Sequence, residues 1–139
     1  TTRTGLPQTK GLRRLPVQGK IVSRFGTYVD PKFQMTHQRN GIEIKAETGS
    51  PIRAVAGGTV AYADWFKGYG NMMIIDHGNG YFAVYANANE LFKTGGEAVS
   101  RNEVIATVGE TGSLTGPKLY FEVRYQGKPI DPLTWLQPG

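Results

Sequence analysis

Glycine-rich corners cut this chain into apolar segments too short to be helices, and that spacing restricts what it can fold into. Gly41-Ile42-Glu43-Ile44 stops at Glu47-Thr48-Gly49, Pro51-Ile52-Arg53-Ala54-Val55 at Gly57-Gly58, and Thr59-Val60-Ala61-Tyr62-Ala63 at Lys67-Gly68-Tyr69-Gly70. Asn71-Met72-Met73-Ile74-Ile75-Asp76 runs into His77-Gly78-Asn79-Gly80, a hairpin corner by composition, and Tyr81-Phe82-Ala83-Val84-Tyr85-Ala86 returns across it. Residues 20–26 alternate polar and apolar as a half-buried strand does, while residues 103–109 and 119–125 supply two further strands. No segment sustains a helical period. The expected fold is all-β with mainly antiparallel strands, residues 28–38 forming a polar loop and residues 89–92 a single helical turn.

A chain of 139 residues suits one domain with its own core. Residues 1–14 lack hydrophobic periodicity and read as a linker or extended arm, leaving 15–139 as the domain. Ile42, Ile44, Val55, Val60, Ile74, Val84, Ile105, Val108, Phe121 and Trp135 are its expected core. The absence of cysteine excludes disulfides and thiolate-held metals. No apolar run approaches the roughly 18 residues of a membrane-spanning helix. The net charge of +5 is dispersed, clustering only at Lys10, Arg13 and Arg14. It reads as a solvated positive face suited to an anionic envelope or an acidic partner, and nucleic acid is not an expected ligand.

The order of the segments carries more information than any one of them. Gly41-Ile42-Glu43-Ile44, Gly49-Ser50-Pro51-Ile52-Arg53-Ala54, Tyr69-Gly70-Asn71, Ile75-Asp76-His77-Gly78, Val84-Tyr85-Ala86, Gly109-Glu110-Thr111-Gly112 and Gly116-Pro117-Lys118-Leu119-Tyr120-Phe121 follow one another from about residue 15 to residue 136. This succession resembles the lysostaphin/LytM-type metallopeptidase domain, which implies a duplicated-hybrid-motif β-sandwich with short helical turns. Active members of that family hold one zinc through a His, an Asp and the second His of a His-x-His pair. They place further histidines around the catalytic water. Here the corresponding residues are Arg39, Glu43 and Lys118-Leu119-Tyr120, with Asn87 after Tyr85-Ala86. A guanidinium cannot ligate, a protonated phenol is a poor ligand, and Lys118 adds positive charge where a metal needs donors. The resemblance therefore implies a degenerate domain with no metal, no cofactor and no catalytic residue. His37, in the expected loop, reads as solvated, and His77 as a turn residue.

Residues 63–70 and 119–124, with Pro132-Leu133-Thr134-Trp135-Leu136, look more like the non-catalytic murein hydrolase activators of the EnvC type than like the peptidases. That likeness implies a periplasmic or cell-envelope domain of an exported bacterial protein. It would stimulate N-acetylmuramoyl-L-alanine amidases during daughter-cell separation, and an N-terminal coiled coil would link it to an inner-membrane division complex. Strand alternation places the ligand-bearing faces of the relatives on one groove. The expected partner-binding residues are Arg39, Asn40, Glu43, Tyr69, Tyr85, Asn87, Lys118, Tyr120 and Arg124. Two other functions remain open at this point: a module that binds peptidoglycan without cutting it, and a zinc endopeptidase with an atypical ligand set.

Overall fold

Asn79 and Gly80 both take left-handed backbone angles, φ 56° and 84°, as the two central residues of a tight hairpin turn must. They join β8 (Gly70–Gly78) to β9 (Tyr81–Leu91), the axis of the molecule. The structure, a computed structural model, describes residues 13–137, so most of the expected arm lies outside the described residues. Around the axis the sheet runs in the order β10 (Ala98–Val99), β7 (Gly58–Phe66), β8, β9, β12 (Lys118–Tyr125), β5 (Ile42–Lys45), β2 (Lys20–Ser23). The far end of β9 also pairs with β11 (Val104–Val108), which pairs in turn with β6 (Pro51–Arg53). β13 (Lys128–Ile130) completes this sheet beside β12, and every one of its pairings is antiparallel. A parallel pair, β1 (Arg13–Arg14) with β14 (Leu136–Gln137), brings the two ends of the described chain together. The expected all-β antiparallel architecture holds. Helical geometry among the described residues is confined to one 3-10 turn at Pro132–Thr134, capped by the Asp131 side chain.

Two segments differ from the sequence expectation. Residues 28–38 are a hairpin, β3 (Gly26–Val29) with β4 (Thr36–Arg39), and not a loop. Its side chains are mostly exposed on both faces, so backbone pairing forms strands without leaving an alternation to read. Residues 89–92 are not helical, because β9 continues to Leu91 on the ladder offered by β11. Thr107 Oγ1 accepts the Glu90 N–H at 3.2 Å there.

The main core lies between the β8–β9–β12–β5 sheet and the β6–β11 ladder. Ile42, Ile44, Ile52, Met73, Ile75, Tyr85, Ile105, Leu119 and Phe121 are fully enclosed in it. Each contributes about 1.5–3 kcal/mol of burial. Tyr85 packs edge-on against Phe121 at 5.1 Å, and its hydroxyl oxygen accepts the Val55 N–H at 3.0 Å, tying the two layers together. A smaller cluster of Met72, Val84 and Ala86 occupies the opposite face of β8 and β9, where Tyr62, Tyr69, Ile74 and Tyr120 only half cover it. Ile74 thus belongs to this outer cluster rather than to the enclosed core expected for it.

Candidate functional site

Face assignment along β9 turns on one residue. Ala83 and Tyr85 point into the main core, whereas Val84 and Ala86 point to the outer cluster. Strict alternation would return residue 87 to the core. Instead Asn87 takes φ 63°, a left-handed bulge at which the pairing with β8 slips between Tyr85 and Ala88. The bulge aims Asn87 outward and sends Ala88 to the core. Tyr85 consequently does not reach the groove, which corrects the expectation that it shares a face with Asn87.

The groove has a volume of about 390 Å³, and Glu43, Tyr69, Asn87, Lys118 and Tyr120 line it together with the 112–115 loop. Lys118 Nζ and Glu43 Oε2 lie 2.8 Å apart. The two are diagonal neighbours, since Tyr120 sits opposite Glu43 in the β12–β5 register. The Asn87 amide group donates to Tyr69 O at 3.1 Å and to Thr111 O at 2.8 Å, so it fastens the two loops that rim the groove. Those loops meet at Gly70, φ 70°, where an added Cβ would collide with Thr111 O. Only glycine fits such a junction.

Beneath the groove lies Glu122, fully buried, with its carboxyl group shared among three donors. Tyr120 Oη donates at 2.5 Å, Arg124 Nε at 2.8 Å, and Tyr69 Oη more weakly at 3.4 Å. Gly41 makes room for this arrangement, because a Cβ there would meet Phe121 O, Glu122 Cγ and Tyr120 Cζ. Beyond Tyr69 a second trough of about 470 Å³ continues along the outer cluster over Tyr62, Phe66, Met72, Ile74 and Val84 to Arg124. The trough is apolar along its floor and closes at one end on the Arg124–Glu122 ion pair. Sequence reasoning missed it, since Tyr62, Phe66 and Ile74 look like ordinary strand residues until the outer face of β8 is seen to have no covering layer among the described residues.

Arg39 and Asn40, at the end of β4, line neither cavity. The Arg39 guanidinium lies over the Tyr28 ring at 4.1 Å. His37 stacks on the other strand of that hairpin at Tyr28, and His77 is buried in β8 with Nδ1 2.7 Å from Gly57 O. Among the described residues no three His, Cys, Asp or Glu side chains converge as a metal-binding group would require. The groove residues do not fit zinc: Glu43 is paired with Lys118, the Asn87 amide donates to two carbonyls, and the Tyr120 phenol donates to Glu122.

Burial, and next the neighbouring Glu122 carboxyl group, hold the Tyr69 and Tyr120 phenols above their ordinary 10.0; burial alone raises Tyr85, against the opposing Val55 hydrogen bond. Folding therefore favours the protonated phenols. Their contribution to stability is complete below pH 10.0, the value they recover on unfolding, and is lost as pH rises beyond it. Urea midpoints should stay level from neutrality to about that pH and fall above it. Tyr85→Phe should make the alkaline fall shallower; an unchanged profile would show that the Tyr85 phenol does not contribute to it.

An antiparallel β domain with its groove on the joint face of β5, β9 and β12 defines a recognisable class. Residues 37–132 match Peptidase family M23, and the chain belongs to that family. Its relatives include the murein hydrolase activator EnvC of Escherichia coli, 33% identical over 95% of this chain and 30% of that protein. They also include the DD-carboxypeptidase/endopeptidase Mpg of Neisseria meningitidis, 36% identical over 88% of this chain and 28% of that one. The crystal structure of a zinc-containing peptidase from Vibrio cholerae superposes with a TM-score of 0.81 at 29% identity, covering 88% of this chain and 39% of that one. The chain thus spans roughly a third of the length of the curated relatives it matches.

Proposed function

We propose that this is a non-catalytic M23 domain of the bacterial periplasm or envelope that binds and activates an N-acetylmuramoyl-L-alanine amidase. One observation supports the loss of catalysis above all others. The positions that correspond to the zinc-binding Asp and to metal and catalytic histidines in active members carry a closed Lys118–Glu43 ion pair, an amide and a phenol, each already engaged as a donor or neutralised. Without a metal-activated water there is no nucleophile at neutral pH and nothing to polarise a scissile carbonyl. Similarity to EnvC supports the activator role and its partner class. The groove and the apolar trough beside it offer Tyr, Phe and Arg side chains on an open surface, the residue types enriched where proteins bind one another.

The test has two arms. After dialysis against buffered zinc the domain should retain far less than one equivalent of metal, and it should release no peptide ends from purified peptidoglycan. Added to an amidase on the same substrate, it should accelerate release of dye-labelled wall fragments. Stoichiometric zinc with chelator-sensitive cleavage would overturn the non-catalytic reading, and an unaltered amidase rate would overturn the activator reading.

A further inference from the structure

Among the described residues, the β3–β4 hairpin pairs with nothing but itself and exposes large apolar side chains. Val29 is 52% exposed, Phe33 63% and Met35 56%, all within the turn or the residues flanking it. Large side chains normally avoid such a position unless something covers them. The turn beneath them is closely made. Asp30 N–H donates to Met35 O and Gln34 N–H to Asp30 O, both at 2.8 Å, while Asp30 Oδ1 accepts the N–H groups of Lys32 and Phe33 at 2.8 and 3.2 Å. Phe33 and Met35 are therefore presented by an ordered turn.

Charge indicates what they face. Between residues 24 and 39 the cations are Arg24, Lys32 and Arg39, and the single acid is Asp30, engaged with its own turn. Lys32 Nζ lies 5.4 Å from the centre of the Phe33 ring, and Arg39 rests on Tyr28 at the base. An apolar tip that carries Lys32 beside Phe33, with Arg39 at its base, matches the boundary between anionic headgroups and acyl chains, where the ring and thioether enter and Lys32 meets phosphates.

We propose that this hairpin is an interfacial anchor that docks the domain on an anionic phospholipid surface. It acts apart from the amidase-binding groove, whose lining includes none of its residues. The test is flotation of the purified chain with phosphatidylcholine vesicles prepared with and without phosphatidylglycerol. Binding should require the anionic lipid and weaken as salt rises. Phe33→Ser with Met35→Ser should weaken it roughly tenfold or more, the loss expected when two large apolar side chains no longer insert. Lys32→Glu should weaken binding to the anionic vesicles as well. A Phe33→Trp probe in a Trp65→Phe background, where the remaining Trp135 is buried, should be quenched by bromine-labelled acyl chains more than the same background without the probe, which reports insertion without relying on a loss. Equal binding to neutral vesicles, an unquenched probe, or full binding by the double serine variant would each overturn the proposal. So would loss of amidase stimulation in a lipid-free assay on changing Phe33 and Met35, since the hairpin would then contact the protein partner.

Discussion

Tyr85→Ala should cost this domain about 3–5 kcal/mol, the range for truncating a large ring in a closed core. The ring is fully buried against Phe121, and the Val55 N–H would lose its acceptor in the same step. Small domains have only about 5–15 kcal/mol in total, so the variant should be largely unfolded or melt far below the parent. Thermal melting by circular dichroism measures this directly. Tyr85→Phe keeps the ring and removes only the acceptor, so it should cost about 1–3 kcal/mol and leave amidase stimulation intact in the folded fraction. A Tyr85→Ala protein that is stable yet fails to stimulate the amidase would return Tyr85 to the groove.

Tyr85 also marks the limit of what was legible in the sequence. The strands from residue 42 to residue 125 could be read because glycine corners and apolar segments alternate there, and the β12 face of Lys118, Tyr120, Glu122 and Arg124 followed from simple alternation. Alternation fails at Asn87, whose left-handed angle depends on carbonyls supplied by Tyr69 and Thr111, residues distant in the chain. Asparagine tolerates that conformation, but nothing local demands it. Arg39 was misplaced for a related reason. Its distance from Gly41 matches a family position, yet the β3–β4 hairpin draws its guanidinium onto Tyr28. Glu122 is absent from the residues expected to bind a partner. That it is fully buried and shared by two phenols and a guanidinium depends on the space left by Gly41, which only the folded chain reveals.

The buried Glu122 also decides how the proposed amidase surface must be probed. Arg124→Ala by itself would leave a carboxyl group at 1% side-chain exposure without its cation, and although the 35% exposure of Arg124 holds the loss below the about 3–5 kcal/mol of a fully buried pair, reduced activity could then mean only reduced folding. Arg124→Met combined with Glu122→Gln removes both charges, retains an unbranched side chain over the trough, and leaves an amide that Tyr120 can still reach. Phe66→Ser is the companion change at the apolar end, where the ring is 48% exposed and contributes little to the core. Losing a central Arg or aromatic side chain from a protein interface typically costs about 2 kcal/mol or more. Each variant should therefore need roughly 30-fold more protein for half-maximal amidase stimulation while its thermal melt remains cooperative. Trp65→Ser, equally exposed nearby but outside both cavity linings, should stimulate as the parent does. Parental stimulation by both trough variants would exclude the trough as the proposed amidase contact.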